Sequence, residues 1–299
     1  MEKMHVMPVA PLSVSNVKNN KSAQARLVIL RILQYIVLTM VAMFLVFPFF
    51  LMVSRSFMKM SDIYNLKLLP TKVTFENYRK LFVENGYLKY LWNTMKVVLF
   101  NIIAVPLSSS ICAYSFAKMK WKGKDLVFAC VLSTIMIPGT VTQVPLFVMF
   151  SDLGWLNTMY PLTIPALFGG GAINIFLLRQ FMRGIPKELD EAAIIDGANV
   201  FLRYAYITLP LCMPILLYIM VGAFGAAWSD FFSPLIYLND SKSYTLAVAI
   251  YQDSLQNNNL NTANLKMAAG VIMSLLPALV FLVYQRKLID GIMIGAVKG

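Results

Sequence analysis

Long apolar runs alternate with short polar segments along most of this chain. Six of the runs are long enough to cross the hydrocarbon core of a bilayer, which takes about 20 mostly apolar residues. They lie at about 27–53, 90–117, 126–150, 160–181, 206–228 and 267–284. The pattern predicts an all-α, polytopic membrane protein with six transmembrane helices.

Composition supports this prediction and limits the number of domains. The chain has 299 residues, of which 59% are hydrophobic and 13% are charged, whereas soluble domains carry about 25% charged residues. We therefore expect one membrane domain at 27–285, a polar cytoplasmic N-tail at 1–26 and a cytoplasmic C-tail at 286–299.

Proline and glycine interrupt several of the predicted spans. Pro138 and Gly139 break the third span, and three successive glycines at 169–171 interrupt the fourth. A broken helix survives at membrane depth where neighbouring helices or a water-filled cavity satisfy the freed backbone groups. These breaks suit a transporter, although proline and glycine are also common in ordinary transmembrane helices.

The basic residues indicate which loops face the cytoplasm. The net charge is +12, and the charges flank the apolar runs, which fits membrane topology better than nucleic-acid binding. Both termini and the loop at about 182–208 are predicted to be cytoplasmic, in a multi-pass membrane protein. The outer loop at 54–89 is an exception, because it carries Arg55, Lys59, Lys67, Lys72, Arg79, Lys80 and Lys89.

The loop before the fifth span contains signals for a short helix at 186–196. Pro186 suits the first helical position, and Glu188, Asp190 and Glu191 suit the positive end of the helix dipole. Gly197 is suited to a left-handed residue that ends the helix. A second helix is expected from Asn199 onward. Small residues would let another backbone approach this loop closely, and the alternative is a solvated connector between two spans.

The spacing of residues in this loop favours a surface that another protein approaches closely over a solvated connector. The sequence reads Glu191-Ala192-Ala193, Gly197, Ile207 and Leu209-Pro210. This resembles the coupling-loop signature, the EAA motif, of the permease subunits of ABC importers. Further segments resemble the carbohydrate permeases, namely Met136-Ile137-Pro138-Gly139 and, as in the maltose-type second permease, Gly295-Ala296-Val297-Lys298-Gly299. Ser229 departs from the family's frequent Trp-Asn-Asp in this chain's Trp228-Ser229-Asp230.

The resemblance implies a type I ABC importer permease fold, also called MetI-like, in the bacterial inner or plasma membrane, and a set of partners. These are a homologous second permease, two cytosolic ATPase subunits, an extracytoplasmic solute-binding protein and membrane lipid, with no nucleic acid. The coupling helix would sit in a groove of one ATPase. The implied coupling residues are Glu191, Ala192, Ala193, Asp196, Gly197, Ala198, Ile207, Leu209 and Pro210.

Chemistry within the chain itself is not expected. There is no phosphate-binding G-x-x-x-x-G-K-[ST] loop, so a partner ATPase would bind ATP and magnesium and hydrolyse the ATP. His5 is the single histidine and lies in the polar tail, and the three cysteines lie in apolar runs. No cofactor, metal site or disulfide is predicted, and the chain is interpreted as a transport subunit without catalytic residues.

Polar residues at membrane depth are candidates for a solute path. The candidates are Asn101, Thr142, Gln143 and Asn174. Sugars or oligosaccharides are the expected cargo, and another solute such as glycerol phosphate is the alternative for the same architecture. An ion-coupled secondary transporter is a more distant alternative, because the spans carry few ionisable residues. An intramembrane enzyme is disfavoured by the lack of paired carboxylates within spans.

Overall fold

The computed structural model of the chain is helical throughout its described part. It describes the backbone of residues 21–256 and 262–296, and the side chains of residues 28–255 and 262–285. The two predicted tails, at 1–26 and 286–299, lie outside the residues whose side chains are described.

The helices are α1 (Lys21–Ser56), α2 (Met60–Tyr64), α3 (Glu76–Arg79), α4 (Tyr87–Lys118), α5 (Lys124–Ser133), α6 (Gly139–Asp152), α7 (Tyr160–Thr163), α8 (Ala172–Arg183), α9 (Lys187–Ile195), α10 (Val200–Arg203), α11 (Leu209–Leu211), α12 (Met213–Ser229), α13 (Phe232–Tyr237), α14 (Leu246–Gln256) and α15 (Ala263–Ala296). The 3₁₀ turns are Thr134–Met136 and Ile164–Leu167, and the π turns are Lys80–Glu84 and Tyr204–Thr208.

The predicted spans correspond to helices long and apolar enough to cross a membrane. Within the described residues, four such segments are Val28–Ser56, Tyr87–Lys118, Tyr160–Arg183 and Ala263–Gln285. Two bent helix pairs also qualify, each counted as one span: Lys124–Met136 with Gly139–Asp152, and Val200–Leu211 with Met213–Ser229. The all-helical membrane fold expected from the sequence is therefore confirmed.

The two bent pairs differ in how far the sequence predicts them. The third span bends by 101° between Met136 and Gly139, which is the break predicted at Pro138 and Gly139. The fifth span is predicted to be continuous but bends by 77° next to Cys212. Pro214 explains this bend, because it lacks the N–H that would bond to the carbonyl of Pro210 and its ring crowds that carbonyl.

The described residues up to Leu51 form a compact unit of their own. The described residues of α1 from Val28 to Phe50 are all exposed and Leu51 is half-buried, although the candidate span Val28–Ser56 has a mean hydropathy of 2.7. A helix that is apolar on every side is suited to lipid or to other membrane helices, where its backbone bonds are satisfied internally.

The second unit begins at Met52, and its core is built around α4. This helix packs against α8 and α12. The core contains Ala113, Tyr114, Phe116, Phe128, Ile175, Leu178, Met182, Ile185, Tyr204, Cys212, Leu216 and Ile219. Because these residues come from α4, α5, α8 and the segment before and within α12, one cluster joins the spans to the loop at 182–208.

The glycine run at 169–171 lets a broken span approach α4 closely. Gly170 has a φ of +60°, and a Cβ at this position would lie 2.4 Å from the carbonyl oxygen of Val105. Two side chains of α4 satisfy carbonyls in the broken segment. Asn101 Nδ2 donates to the carbonyl of Leu162 at 2.9 Å, and Ser108 Oγ donates to the carbonyl of Ala166 at 2.7 Å. Backbone carbonyls that the break leaves without helical partners are therefore hydrogen-bonded by protein side chains.

The basic segment between α1 and α4 is held by two polar clusters. The Asp62 carboxylate accepts hydrogen bonds from the hydroxyl and backbone N–H of Thr71, and pairs with Lys67 at 3.1 Å. The Thr71 hydrogen bonds, and then Lys67, hold the pKa of Asp62 below its usual value. Asn77 Nδ2 donates to the carbonyls of Ser56 and Met58. The segment therefore has a defined conformation.

Candidate functional site

The loop at 182–208 contains the helix predicted from the sequence, shorter by one residue at each end. Helix α9 runs from Lys187 to Ile195. Pro186 is predicted to be its first residue but instead precedes it, because a ψ of 136° is extended. Glu188 and Asp190 lie in the first turn, where the helix dipole favours negative charge.

Gly197 ends this helix in the conformation that the sequence predicts. Its φ is +80°, and the N–H of Gly197 donates to the carbonyl of Ile194 at 3.0 Å. The N–H of Ala198 donates to the carbonyl of Ala193 at 2.8 Å. This pair of bonds is a Schellman motif, which requires a left-handed residue after the last helical residues. The glycine is thus required by the backbone conformation.

Asn199 starts the next helix, as predicted. Its side-chain oxygen accepts a hydrogen bond from the N–H of Leu202 at 2.9 Å, which is the bond of an N-cap. After α10 the chain continues through the π turn at Tyr204–Thr208 and α11 into α12. The loop is therefore two helices joined by a tight turn, and its conformation is fixed by local hydrogen bonds.

A largely buried ion pair anchors α9 to the spans. Lys118 Nζ, at the C-terminal end of α4, lies 2.6 Å from Asp190 Oδ2, and the two side chains are 12% and 15% exposed. Lys118 Nζ also donates to the carbonyl of Ile185 at 3.4 Å. A cation at a helix C-terminus is favoured by the dipole as well. The pair connects α9 directly to α4, the central helix of the second unit's core.

Two tyrosines provide a second connection between α4 and the loop. The ring centroids of Tyr114 and Tyr204 are 5.2 Å apart in an edge-to-face arrangement. Tyr204 Oη and Ser110 Oγ are 2.7 Å apart, and Tyr114 Oη donates to the carbonyl of Val200 at 3.4 Å. The start of the segment that leads into α12 is therefore fixed to α4.

Helix α9 and the start of α10 carry exposed apolar side chains. Ile195 is 86% exposed, Phe201 is 71% exposed and Ile194 is also exposed. Exposed apolar patches on otherwise polar loops mark interaction surfaces. Ile194, Ile195 and Phe201 are called the coupling face below.

The nine predicted coupling residues differ in how far they are exposed to solvent. Glu191, Ala192, Asp196, Gly197 and Pro210 are exposed, whereas Ala198, Ile207 and Leu209 are half-buried. Ala193 is buried, with 7% exposure, and packs within its own chain. Ala192 and Ala193 therefore differ in burial, with Ala192 exposed and Ala193 packed within its own chain.

A cavity of about 690 Å³ lies among the spans of the second unit. Its walls come from α4, the break in the third span, the start of α8, and α12 with the segments that follow it. The polar side chains in its lining are those of Asn101, Thr134, Asn174, Tyr218, Asp230 and Thr245. A few polar groups in a mostly apolar concave site are typical of small-molecule sites.

The structure places two of the four predicted path residues at this cavity. Asn101 and Asn174 line it, whereas Thr142 and Gln143 are absent from its described lining. Both amide groups also donate hydrogen bonds to backbone carbonyls. Asn101 Nδ2 donates to Leu162, and Asn174 Nδ2 donates to Gly170 at 2.7 Å. The hydroxyl of Thr142 donates to the carbonyl of Gly139 at 2.9 Å within α6.

Asp230 and Thr245, like Thr134 and Tyr218, are polar cavity residues that sequence reasoning missed. Asp230 follows α12 directly, and Thr245 precedes α14. The predicted boundaries of the fifth and sixth spans place both residues in loops, away from membrane depth. The Trp228-Ser229-Asp230 motif was the available signal for Asp230, whereas the position of Thr245 depends on tertiary packing.

Comparisons with known proteins agree on one family. Residues 105–293 match the family model described as binding-protein-dependent transport system inner membrane component. The chain is 30% identical over 272 residues to the galactooligosaccharides transport system permease protein GanQ of Bacillus subtilis, covering 89% of this chain and 95% of GanQ. It is 35% identical over 219 residues to the maltose/maltodextrin transport system permease protein MalG of Escherichia coli K12, covering 71% and 73% of the two chains.

Two further likenesses cover most of the chain. The lactose transport system permease protein LacG of Rhizobium radiobacter is 31% identical over 268 residues, covering 89% of this chain and 95% of LacG. A chain in the crystal structure of a bacterial ABC transporter involved in the import of the acidic polysaccharide alginate superposes with a TM-score of 0.77 at 21% identity, covering 87% of this chain and 96% of that chain. At 21% identity, the similarity to the alginate transporter chain bears on the fold alone.

Proposed function

This chain belongs to the family of inner membrane components of binding-protein-dependent transport systems, and we propose that it imports sugars or oligosaccharides. It is a multi-pass inner membrane protein and the permease subunit of an ABC importer, a component without catalytic function. The cargo proposal is supported by the names of three relatives, whose transport systems carry galactooligosaccharides, lactose and maltose or maltodextrin.

The coupling face is the observation that carries the mechanism. A helix with exposed apolar residues, capped at its C-terminus and bonded to α4 through Lys118 and Asp190, has the features of a docking element that transmits force. We place it in a groove of a cytosolic ATPase that binds ATP and magnesium. Closure of two such ATPases would push α9 and thereby move α4.

The remaining partners follow from the same architecture. A homologous second permease would supply the other half of the translocation pathway, and an extracytoplasmic solute-binding protein would deliver the solute. The termini and the coupling loop would face the cytoplasm, because basic residues concentrate there. The cavity beside Asn101 and Asn174 would form this subunit's half of the pathway.

The proposal is tested by uptake into membrane vesicles that contain the complex copurified with this chain. Uptake of radiolabelled maltose, lactose or a galactooligosaccharide is expected only with ATP on the cytoplasmic side and the solute-binding protein on the other side. The matched control is the same vesicle with a non-hydrolysable ATP analogue. Uptake that persists without ATP, driven by an ion gradient, would show a secondary transporter and contradict the proposal.

A further inference from the structure

The side chains that line the cavity differ in whether their polar atoms already have hydrogen-bond partners. The amide nitrogens of Asn101 and Asn174 already donate to backbone carbonyls. Asp230 and Thr245, in contrast, come from the segments beyond α12 and line the same cavity. Thr134 likewise donates to a backbone carbonyl, that of Val131, so the ligand chemistry of the described lining depends on Asp230 and Thr245 together with the phenol of Tyr218.

Thr245 indicates that this space is suited to a polar guest. The residue is 4% exposed, and its Oγ1 is buried without a hydrogen-bond partner among the residues that the structure describes. A buried hydroxyl group without a partner costs free energy. Oγ1 has almost no accessible surface in this conformation, and a change of the χ1 rotamer would turn it toward the cavity. There a solute hydroxyl would remove that cost, and an apolar solute would not.

Asp230 sets the charge of the cavity. One carboxylate oxygen, Oδ1, accepts the N–H of Ser233 at 3.1 Å, which fixes the side chain at the start of α13. Asp230 is the single ionisable side chain other than the phenol of Tyr218 among the described lining residues. A carboxylate accepts hydrogen bonds from solute hydroxyl groups and repels anions across a medium of low dielectric constant.

We propose that Asp230 and Thr245 form a subsite for neutral, hydroxyl-rich solutes and that the carboxylate disfavours anionic ones. The proposal rests on the proposed function and deepens it by naming the charge class of the cargo. Neutral sugars satisfy both groups, whereas a phosphorylated sugar or glycerol phosphate brings negative charge toward Asp230. The glycerol phosphate alternative is therefore disfavoured by this subunit's half of the pathway.

The charge of the cavity can be measured without knowing the solute. In the complete complex in vesicles, Cys112, Cys130 and Cys212 are replaced by alanine, and Ala226→Cys is introduced. Ala226 lies in the last turns of α12, shortly before Asp230, and lines the same cavity. The probes are methanethiosulfonates of equal size with a trimethylammonium or a sulfonate group, and labelling is read on this chain.

The cationic probe is expected to react faster than the anionic one, after normalisation to their rates with a free thiol. Asp230→Asn should lower that ratio about fivefold, because removal of the carboxylate charge ends both its attraction for the cation and its repulsion of the anion. Asp240→Asn is the matched control, since Asp240 is exposed and absent from the described cavity lining; this variant should leave the ratio unchanged.

Two results would overturn the subsite. One is a ratio that is the same with Asp230 and with Asp230→Asn, and the other is a failure of both probes to reach Ala226→Cys. The labelling ratio requires neither ATP nor a sugar, so it is independent of the uptake experiment. Uptake driven by ATP together with an unchanged ratio would refute the subsite alone, and a ratio that follows Asp230 without ATP-driven uptake would refute the proposed function alone.

Discussion

At the scale of single residues, the coupling loop depends on charges placed where water is largely excluded. Lys118 and Asp190 are 12% and 15% exposed and 2.6 Å apart, and Asp190 Oδ1 has no further partner in the described part of the chain. Surface ion pairs contribute little to stability. A buried pair differs, because removing one partner leaves a charge that has lost both water and its counterion.

Lys118→Met is therefore expected to destabilise the purified complex by about 3 kcal/mol, because Asp190 would remain buried and unpaired. The melting temperature should fall by several degrees, and the double variant Lys118→Met/Asp190→Leu should recover most of the loss. Lys120→Met is the matched control, since Lys120 is exposed. Equal melting temperatures for Lys118→Met and Lys120→Met would show that the ion pair does not anchor α9.

At the scale of elements, glycines decide where helices end and where they approach each other. Gly197 ends α9 with a φ of +80°, and a Cβ at this position would meet no atom of the described residues within 4 Å, so its requirement is conformational. Gly170 combines a positive φ with a close backbone neighbour, the carbonyl of Val105. The requirement for glycine at position 170 is therefore steric as well as conformational. A larger residue there would push the broken span away from α4.

Gly170→Ala is expected to cost about 3 kcal/mol, through the strained backbone and the clash with α4. Gly225→Ala is the control, because Gly225 is inside α12 and a Cβ there lies more than 4 Å from the described atoms outside its own stretch of helix. The melting temperature of the complex should fall for Gly170→Ala and stay the same or rise slightly for Gly225→Ala, since alanine favours helix. A similar effect of both substitutions would refute the close approach at Gly170.

Elements set by local chemistry were predictable from the sequence, and those set by packing were not. The apolar runs indicated the spans because lipid requires them, and Gly197 indicated the end of α9 because few residues adopt its conformation. The bend beside Cys212 was missed because proline alone does not specify a bend in a transmembrane segment. Asp230 and Thr245 were missed because their place in the cavity depends on contacts between segments far apart in the sequence.

At the scale of the whole second unit, α4 joins the two functional regions. Val97, Asn101 and Val105 line the cavity, and Tyr114 and Lys118 contact the coupling loop. From Val97 to Lys118 the helix extends about 30 Å at 1.5 Å per residue. In the proposed mechanism, movement of α9 would reach the cavity through this continuous helix.

The most direct test of this account is whether the coupling face holds the ATPase. Ile195→Glu and Phe201→Glu place charges on that face, and Val83→Glu places one on an equally exposed apolar residue of the segment before α4. Affinity purification through this chain is followed by quantification of the ATPase and of the second permease. We predict that the two coupling-face variants lose most of the ATPase and retain the second permease, and that Val83→Glu retains both. Full recovery of ATPase with Ile195→Glu and Phe201→Glu combined, together with normal uptake, would contradict the account.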